Sequence, residues 1–318
     1  MVGKAGCPTD TAGVGSGMIE TDTMTVFDRA LVRRRRDRAA AGFADCRFLF
    51  DEVAERLTER LSMVRRTFPH ALDLGCHDGG TGRLAAPAKR IEVLVSCDLA
   101  PGMAAGSGGL AVAADEEYLP FADASFDLVI SNLSLHWVND LPGALIQIRR
   151  ALRPDGFFSA AMLGGNTLVE LRQCLVEAEL AVSGGVAPRL SPLVGLGDAG
   201  SLMQRAGFAL PVVDAETVTV TYSDVFRLFA DLRGMGETNA TRARSRTPAR
   251  RALFLEAARR YADSFAEADG RIPATFEIIY LAGWAPGPGQ QQPLRPGSGR
   301  TPLACVLTTP DRPDAGGK

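Results

Sequence analysis

The chain has 318 residues, 46% of them apolar, enough for one large domain or a domain with a smaller appendage. Its formal charge of −2 gives no general attraction to nucleic acid or an anionic membrane, and no apolar run approaches the roughly 18 residues a membrane span needs. The six cysteines (Cys7, Cys46, Cys76, Cys97, Cys174, Cys305) form no CxxC pair, which argues against a zinc ribbon or disulfide framework and suits reduced thiols in a cytoplasm.

Residues 1–22 are rich in Gly and Thr and read as a disordered tail with no apolar signal core. Asp10, Glu20 and Asp22 also argue against a transit peptide. Residues 23–69 read as an N-terminal helical segment. It opens with "VFDRALVRRRRDRAA", in which Arg33 to Arg36 suit either a solvated face or a partner contact. Phe50, Val53, Leu57, Leu61 and Val64 then recur at helical spacing, which predicts an amphipathic helix over 46–65.

From residue 70 to 165 short apolar runs alternate with helices: "HALDLG", "IEVLVSCDL", "GLAVAA", "FDLVISNL" and "GFFSAAML". This is the pattern of strands buried on both faces in a doubly wound, mostly parallel α/β sheet. Between the last two runs, Leu141, Leu145, Ile148 and Leu152 form a helical stripe that Pro154-Asp155-Gly156 is expected to stop. Residues 166–285 hold the remaining strands and a helical lid. A helix at "NTLVELRQCLVEAELAV" precedes a strand at "VVDAETVTVTY", and the last strand is "ATFEIIYLAGW". Two helices lie between those strands, with Ser223 and Thr247 as expected N-caps and Pro248 at the first turn. They read as a lid inserted over the sheet's carboxyl edge, where open α/β sheets bind ligands. Residues 286–318 read as a second disordered tail, rich in Pro, Gly and Gln.

The chemistry concentrates at strand ends. "LDLGCHDGG" closes the first strand with Gly75, Gly79 and Gly80, residues that let a backbone turn tightly against a ligand. Asp98 ends the second strand, where a carboxylate can accept ribose hydroxyls. Asp115 ends the third, within reach of an adenine amino group. A dinucleotide would want GxGxxG spacing and a pyrophosphate on the helix N-terminus. Here the order is Asp73-x-Gly75-x-His77-x-Gly79.

That loop resembles the DxGxGxG turn of class I S-adenosylmethionine-dependent methyltransferases, a Rossmann-like fold, with His77 in place of one glycine. "LPFADASFDLVISNLSLHWVND" and "LRPDGFF" extend the resemblance over about 70–165. "VFDRALVRRRRDRAA", "DLRGMGETNA" and "IPATFEIIYLAGW" extend it over about 24–285 to the methyltransferase-like assembly factors of respiratory complex I, whose mitochondrial member is described as a protein arginine hydroxylase. The malonyl carrier-protein O-methyltransferase of biotin synthesis is similar in layout.

The resemblance implies S-adenosylmethionine as cofactor, held by Asp73, Gly75, His77, Gly79, Asp98, Leu99, Asp115, Glu116 and Asn132. It implies a protein substrate, a respiratory complex I subunit, and a cytoplasmic location or one peripheral to the inner membrane. No nucleic-acid partner and no transmembrane segment are expected. His136 and Trp137 follow the fourth strand, where acceptor and methyl group meet in this fold. They are the candidate catalytic pair, or else packed aromatics beneath the lid, and histidine by type suits a general base. Arg29, Glu237 and Asn239 are candidates for closing the substrate pocket, with surface and capped-turn roles as alternatives. Arg38 is weighed with Arg29 in the same way, and Cys76 reads as a small buried hydrophobe.

His77 has three readings: a partly exposed loop histidine where positive φ is not required, a contact to the cofactor's carboxylate, or a block to cofactor binding. The three histidines, His70, His77 and His136, show no HxD or HxE, and no metal site is expected. Two other functions stay open: an O-methyltransferase acting on a carrier-protein thioester or small carboxylate, and a non-catalytic assembly scaffold with a degenerate cofactor loop.

Overall fold

The computed structural model of the protein describes residues 25–290 and 297–299. The expected tail 1–22, most of the expected tail 286–318, Cys7 and Cys305 lie outside the described residues. Residues 286–290 pack on the sheet's end. Gln290 Nε2 donates to Ala285 O at 2.8 Å, and a Cβ on Gly287 would lie 2.5 Å from the Asp155 carboxylate.

Seven strands form one sheet in the order β3-β2-β1-β4-β5-β7-β6. They are β1 His70–Leu74, β2 Val93–Asp98, β3 Leu110–Ala113, β4 Phe126–Asn132, β5 Leu152–Leu163, β6 Ala209–Tyr222 and β7 Ile272–Trp284. β1 to β5 pair in parallel, while β7 runs antiparallel to both β5 and β6. The strand order reverses between β1 and β4, so the ends of β1, β2 and β4 converge at the crevice where such sheets bind ligands.

Helices α1 Arg29–Ala39, α2 Phe48–Ser62, α3 Gly80–Lys89, α4 Pro101–Gly106, α5 Leu141–Ala151, α6 Val169–Ser183, α7 Leu196–Arg205, α8 Val225–Gly234 and α9 Arg251–Phe265 cover the two faces. The α2 stripe of Phe50, Val53, Leu57 and Leu61 is buried as its spacing requires. Each such side chain contributes about 1.5–3 kcal/mol through burial. One core layer joins Phe50 and Val53 with Leu171 of α6, Leu228 of α8 and Tyr261 of α9 over the sheet. The other joins Leu145 and Ile148 of α5 with Met203 of α7.

Several ends differ from expectation. Asp224, not Ser223, caps α8, because its carboxylate accepts from both Phe226 N at 2.8 Å and Arg227 N at 3.1 Å. Thr247 and Pro248 precede α9, whose N-cap is Arg250 with no side-chain bond. The stop of α5 falls at Ala151, before Pro154-Asp155-Gly156. That tripeptide lies inside β5, where Asp155 takes φ 62° and the register with β4 shifts. The helices inserted between β6 and β7 pack on α6 and the sheet, and the turn after α8 reaches the carboxyl edge.

Candidate functional site

β1 ends at Leu74, and the chain turns through Gly75 (φ 67°), His77 (φ 49°) and Gly79 (φ 76°) into α3. Gly75 cannot be replaced without clash, since a Cβ there would lie 2.1 Å from Ser134 Oγ. The first amides of α3 are already taken by protein carboxylates: Gly80 N donates to Asp78 Oδ1 at 3.1 Å and Gly82 N to Asp73 Oδ2 at 2.9 Å. A pyrophosphate would have to compete for both, which disfavours a dinucleotide.

Burial pushes the Asp73 carboxyl up to about 7, against the Gly82 amide that favours its charged form. A folded pKa raised above the unfolded 3.8 makes stability fall as pH rises from about 4 to 7. Asp73→Asn is therefore expected to be more stable than the parent at pH 8, by on the order of 2–4 kcal/mol, and equal to it near pH 4. Urea unfolding at the two pH values reads this difference, and a constant offset would contradict it.

His77 is neither partly exposed nor in an ordinary backbone conformation. Its side chain is buried and its φ is positive. The ring lies parallel to Phe43 at 5.4 Å between centroids and edge-on to Phe50 at 4.5 Å. Its Nε2 lies 3.1 Å from Asn132 O, and its backbone N donates to Asp98 Oδ2 at 3.1 Å. Burial first, then the nearby Arg36 charge, lowers its pKa and keeps the ring neutral. His77→Gly relieves a left-handed residue, about 1 kcal/mol, but removes a ring whose deletion costs about 2–5 kcal/mol. A net loss of about 1–4 kcal/mol is expected, with His77→Ala worse than His77→Gly because alanine keeps the strain. Chemical denaturation gives the order, and alanine ranking above glycine would show that positive φ costs nothing here.

Two arginines of α1 close the edge. The α1 periodicity puts Val32, Arg36 and Ala39 on the buried face while Arg33 and Arg34 stay exposed. Arg36, 0% exposed, donates from Nη1 to Glu116 Oε1 at 3.1 Å and from Nη2 to Ser134 Oγ at 3.0 Å, with Asp98 Oδ2 3.6 Å away. Arg29 Nη2 donates to Asp115 Oδ1 at 2.5 Å and also to Glu116, and its Nη1 donates to Trp137 O. Burial alone would raise the Glu116 pKa; the charges of Arg29 and Arg36 outweigh it and hold the carboxyl at about 2. Arg38 is exposed.

Among the other expected cofactor residues, Asn132 donates from Nδ2 to Phe50 O and Thr81 Oγ1. Leu99 packs with Phe27, Val32, Trp137 and Ala240. Cys76 is buried and its thiol pKa is pushed up by that burial, as expected of a small hydrophobe.

His136, Trp137 and Glu237 meet beside this edge. His136 Nε2 lies 2.9 Å from Glu237 Oε2, and Trp137 Nε1 donates to both Glu237 oxygens at 3.1 and 2.9 Å. Burial would raise the Glu237 pKa, but His136 above all, with Arg36 and the indole N–H, turns the shift downward. The three line a cavity of about 50 Å³ with Phe50, Leu133 and Met235. Asn239 lines it too, but its Oδ1 accepts from Thr241 N and Thr241 Oγ1, which is the capped turn. Arg36, Ser134, Phe43 and Phe50 were not singled out as site residues by the sequence reading; only the helical spacing of Arg36 with Val32 signalled one of them.

A family model described as "Methyltransferase domain" matches residues 72–160. "Arginine-hydroxylase NDUFAF5, mitochondrial" of Danio rerio is 41% identical over 88% of this chain and 89% of its own length. The chain belongs to the S-adenosylmethionine-dependent methyltransferase superfamily. The Homo sapiens NDUFAF5 is also 41% identical, over 91% of this chain and 85% of its own length. "Malonyl-[acyl-carrier protein] O-methyltransferase" of Methylovorus sp. (strain MP688) is 36% identical over 82% of this chain and 90% of that protein. The solved structure assigned as a methyltransferase from Bacillus halodurans C-125 superposes with a TM-score of 0.51 at 16% identity, covering 73% of this chain and 98% of that one, which shows the shared fold.

S-adenosylmethionine is the cofactor of this superfamily. The donor set at the edge fits such a polar, charged nucleoside. Asp98, Asp115 and Glu116 present carboxylates, and Asp73 Oδ1, His77 Nδ1, Asn132 Oδ1 and His136 Nδ1 are buried polar atoms without a partner. Each such atom costs about 1–3 kcal/mol when unsatisfied, so the edge gains from a ligand that bonds them.

Proposed function

We propose that this superfamily member is an S-adenosylmethionine-dependent enzyme that modifies an arginine of a protein substrate, a respiratory complex I subunit, during complex assembly. The observation that carries the reading is the buried Glu237 carboxylate, fixed by His136 and Trp137 and facing an apolar cavity beside the cofactor edge. A carboxylate in that setting suits a guanidinium, which it can receive bidentately. The 41% identity to proteins named arginine hydroxylases supports the same substrate class.

In this reading Asp73, Gly75, His77, Gly79, Asp98, Leu99, Asp115, Glu116 and Asn132 hold the cofactor. Arg29 and Arg36 hold the Asp98, Asp115 and Glu116 carboxylates at that edge. Bound S-adenosylmethionine supplies an electrophilic methyl group. His136 and Trp137 hold Glu237 in place, Glu237 orients the substrate side chain, and Leu133 and Phe50 keep water out. Arg29 and Asn239 fix the α1 segment and the turn that close over the site. The location proposed is cytoplasmic and peripheral to the inner membrane, where complex I is assembled. Among the described residues no helix is long and apolar enough to cross a membrane.

Deleting the gene and comparing complex I subunits by mass spectrometry tests this directly. A modified arginine present in the parent strain and absent from the deletion is expected, and its mass distinguishes methylation from hydroxylation. Turnover on a malonyl carrier protein would favour the O-methyltransferase reading instead. Co-purification with a complex I subunit that carries no modified arginine would favour a scaffold, the reading to which the buried His77 ring and the pairing of Arg36 with Asp98 and Glu116 lend weight.

A further inference from the structure

A groove of about 620 Å³ opens between α6, α8 and α9 and leads to the cavity at Glu237. Leu190, Leu232, Glu237 and Asn239 line both spaces. The groove walls are apolar. Phe226, Phe229 and Phe254 form an edge-to-face chain along one side, with Phe226 48% and Leu255 49% exposed. Its rim is cationic: Arg35, Arg189, Arg233, Arg244 and Arg251 border it, and Glu237 is the one acid among the lining residues.

Two of these arginines are neutralised by the chain itself, Arg189 by Glu179 and Arg244 by Asp28. Arg35, Arg233 and Arg251 have no carboxylate within ion-pair distance among the described residues. Arg35 is half-buried with Nη1 donating to Thr238 O at 2.6 Å, and burial, then Arg244, lowers its pKa, with Asp28 opposing. A chain whose overall formal charge is −2 thus places three arginines without a described carboxylate partner around one apolar channel.

We propose that this groove binds an acidic segment of a partner protein whose apolar side chains enter the channel, and so delivers an adjacent residue to Glu237. The proposal rests on the protein-substrate reading above. Apolar side chains would fill the space over Phe226, Phe229 and Leu255, while carboxylates would pair with Arg35, Arg233 and Arg251. A concave, apolar channel suits an inserted segment better than a flat lipid surface, and a large apolar area bordered by polar groups marks an interaction site. The Arg35 end of the arginine run on α1 thereby acquires a role that solvation does not give it.

Fluorescence anisotropy of the full chain tests this, without cofactor, using a labelled peptide that alternates Glu and Leu around a central Arg. The expected result is saturable binding that weakens with added salt. The double variant Arg233→Glu/Arg251→Glu, both sites being exposed, is expected to weaken it about tenfold or more. A matching peptide with Lys in place of Glu is expected not to bind. Equal binding of the Lys peptide, or undiminished binding by the double variant, would overturn the proposal. So would binding only to phosphatidylglycerol vesicles that the same substitutions abolish, which would assign the face to a membrane. Because the readout is binding alone, it separates from the function reading. Peptide binding with no chain-dependent arginine modification would uphold the groove and sink the enzyme assignment. An intact modification with the double variant binding as the parent does would do the reverse.

Discussion

Arg36→Ala is expected to lower the unfolding free energy by about 3–5 kcal/mol at pH 7, a large fraction of the stability of a domain this size. The substitution leaves Glu116 and Asp98, both 0% exposed, as buried carboxylates with their shared cation gone. Arg29 remains on Glu116 but does not reach Asp98 among the described ion pairs. The guanidinium is held in its charged form by Asp98 and Glu116 against a large burial penalty, so the network exists only as a unit.

Removing charge from both sides, Arg36→Met with Glu116→Gln and Asp98→Asn, is expected to recover most of the loss, since a missing buried network costs far less than a broken one. The pH dependence follows from Glu116. Its folded pKa, about 2, lies below the ordinary 4.5, so its contribution is complete above about pH 4.5 and is lost as pH falls toward 2. The gap between parent and Arg36→Ala should therefore narrow over that acid range. Denaturant unfolding across pH gives the curve, and a gap that widens in acid would show that Arg36 does not act through these carboxylates.

If, as proposed, Glu237 orients the acceptor arginine, Glu237→Gln is expected to reduce arginine modification by about 10²-fold or more with cofactor affinity changed little, since its hydrogen bonds run to His136 and Trp137 and not to the glycine turn. The amide keeps one acceptor for Trp137 Nε1 but loses the charge that pairs with His136. Glu237→Ala adds a stability cost of about 1–3 kcal/mol for each buried polar partner left without a bond. Against its burial, His136, Arg36 and the indole N–H hold the Glu237 carboxyl below its ordinary range, so what the charged carboxylate contributes fades as acid protonates it. Single-turnover kinetics alongside cofactor titration separate the two effects. A variant that loses cofactor binding and turnover together would place Glu237 on the cofactor side of the site.

The parallel half of the sheet was legible because strands buried on both faces leave unbroken apolar runs. "FDLVISN" and "FFSAAML" can scarcely be read otherwise. The short helix α4 and the glycine-rich α7 were not, since Gly195, Gly197 and Gly200 conceal a face that Ala199 and Met203 bury. The acids at the strand ends were legible by position, but what they face was not. Asp98, Asp115 and Glu116 are met by arginines 62 to 87 residues earlier in the chain, and no local pattern pairs them. Arg36 was concealed inside a four-arginine run that reads as a whole, either as a solvated face or as a partner contact. Only the 3.6-residue period separates it from Arg33 and Arg34. His77 occupies a glycine's place with a glycine's φ, and the ring's packing on Phe43 and Phe50 depends on a 3-10 segment and a helix that the loop sequence does not announce.

On the reading proposed above, the carboxyl edge of β1, β2 and β4 holds S-adenosylmethionine and the chain's own α1 arginines border it. Calorimetric titration of the full chain with S-adenosylmethionine, alongside Asp98→Ala, tests it most directly. One-site binding by the parent and its loss in the variant is the result predicted. No binding by the folded parent, or binding that Asp98→Ala leaves intact, would contradict the claim and return the edge to a purely structural role.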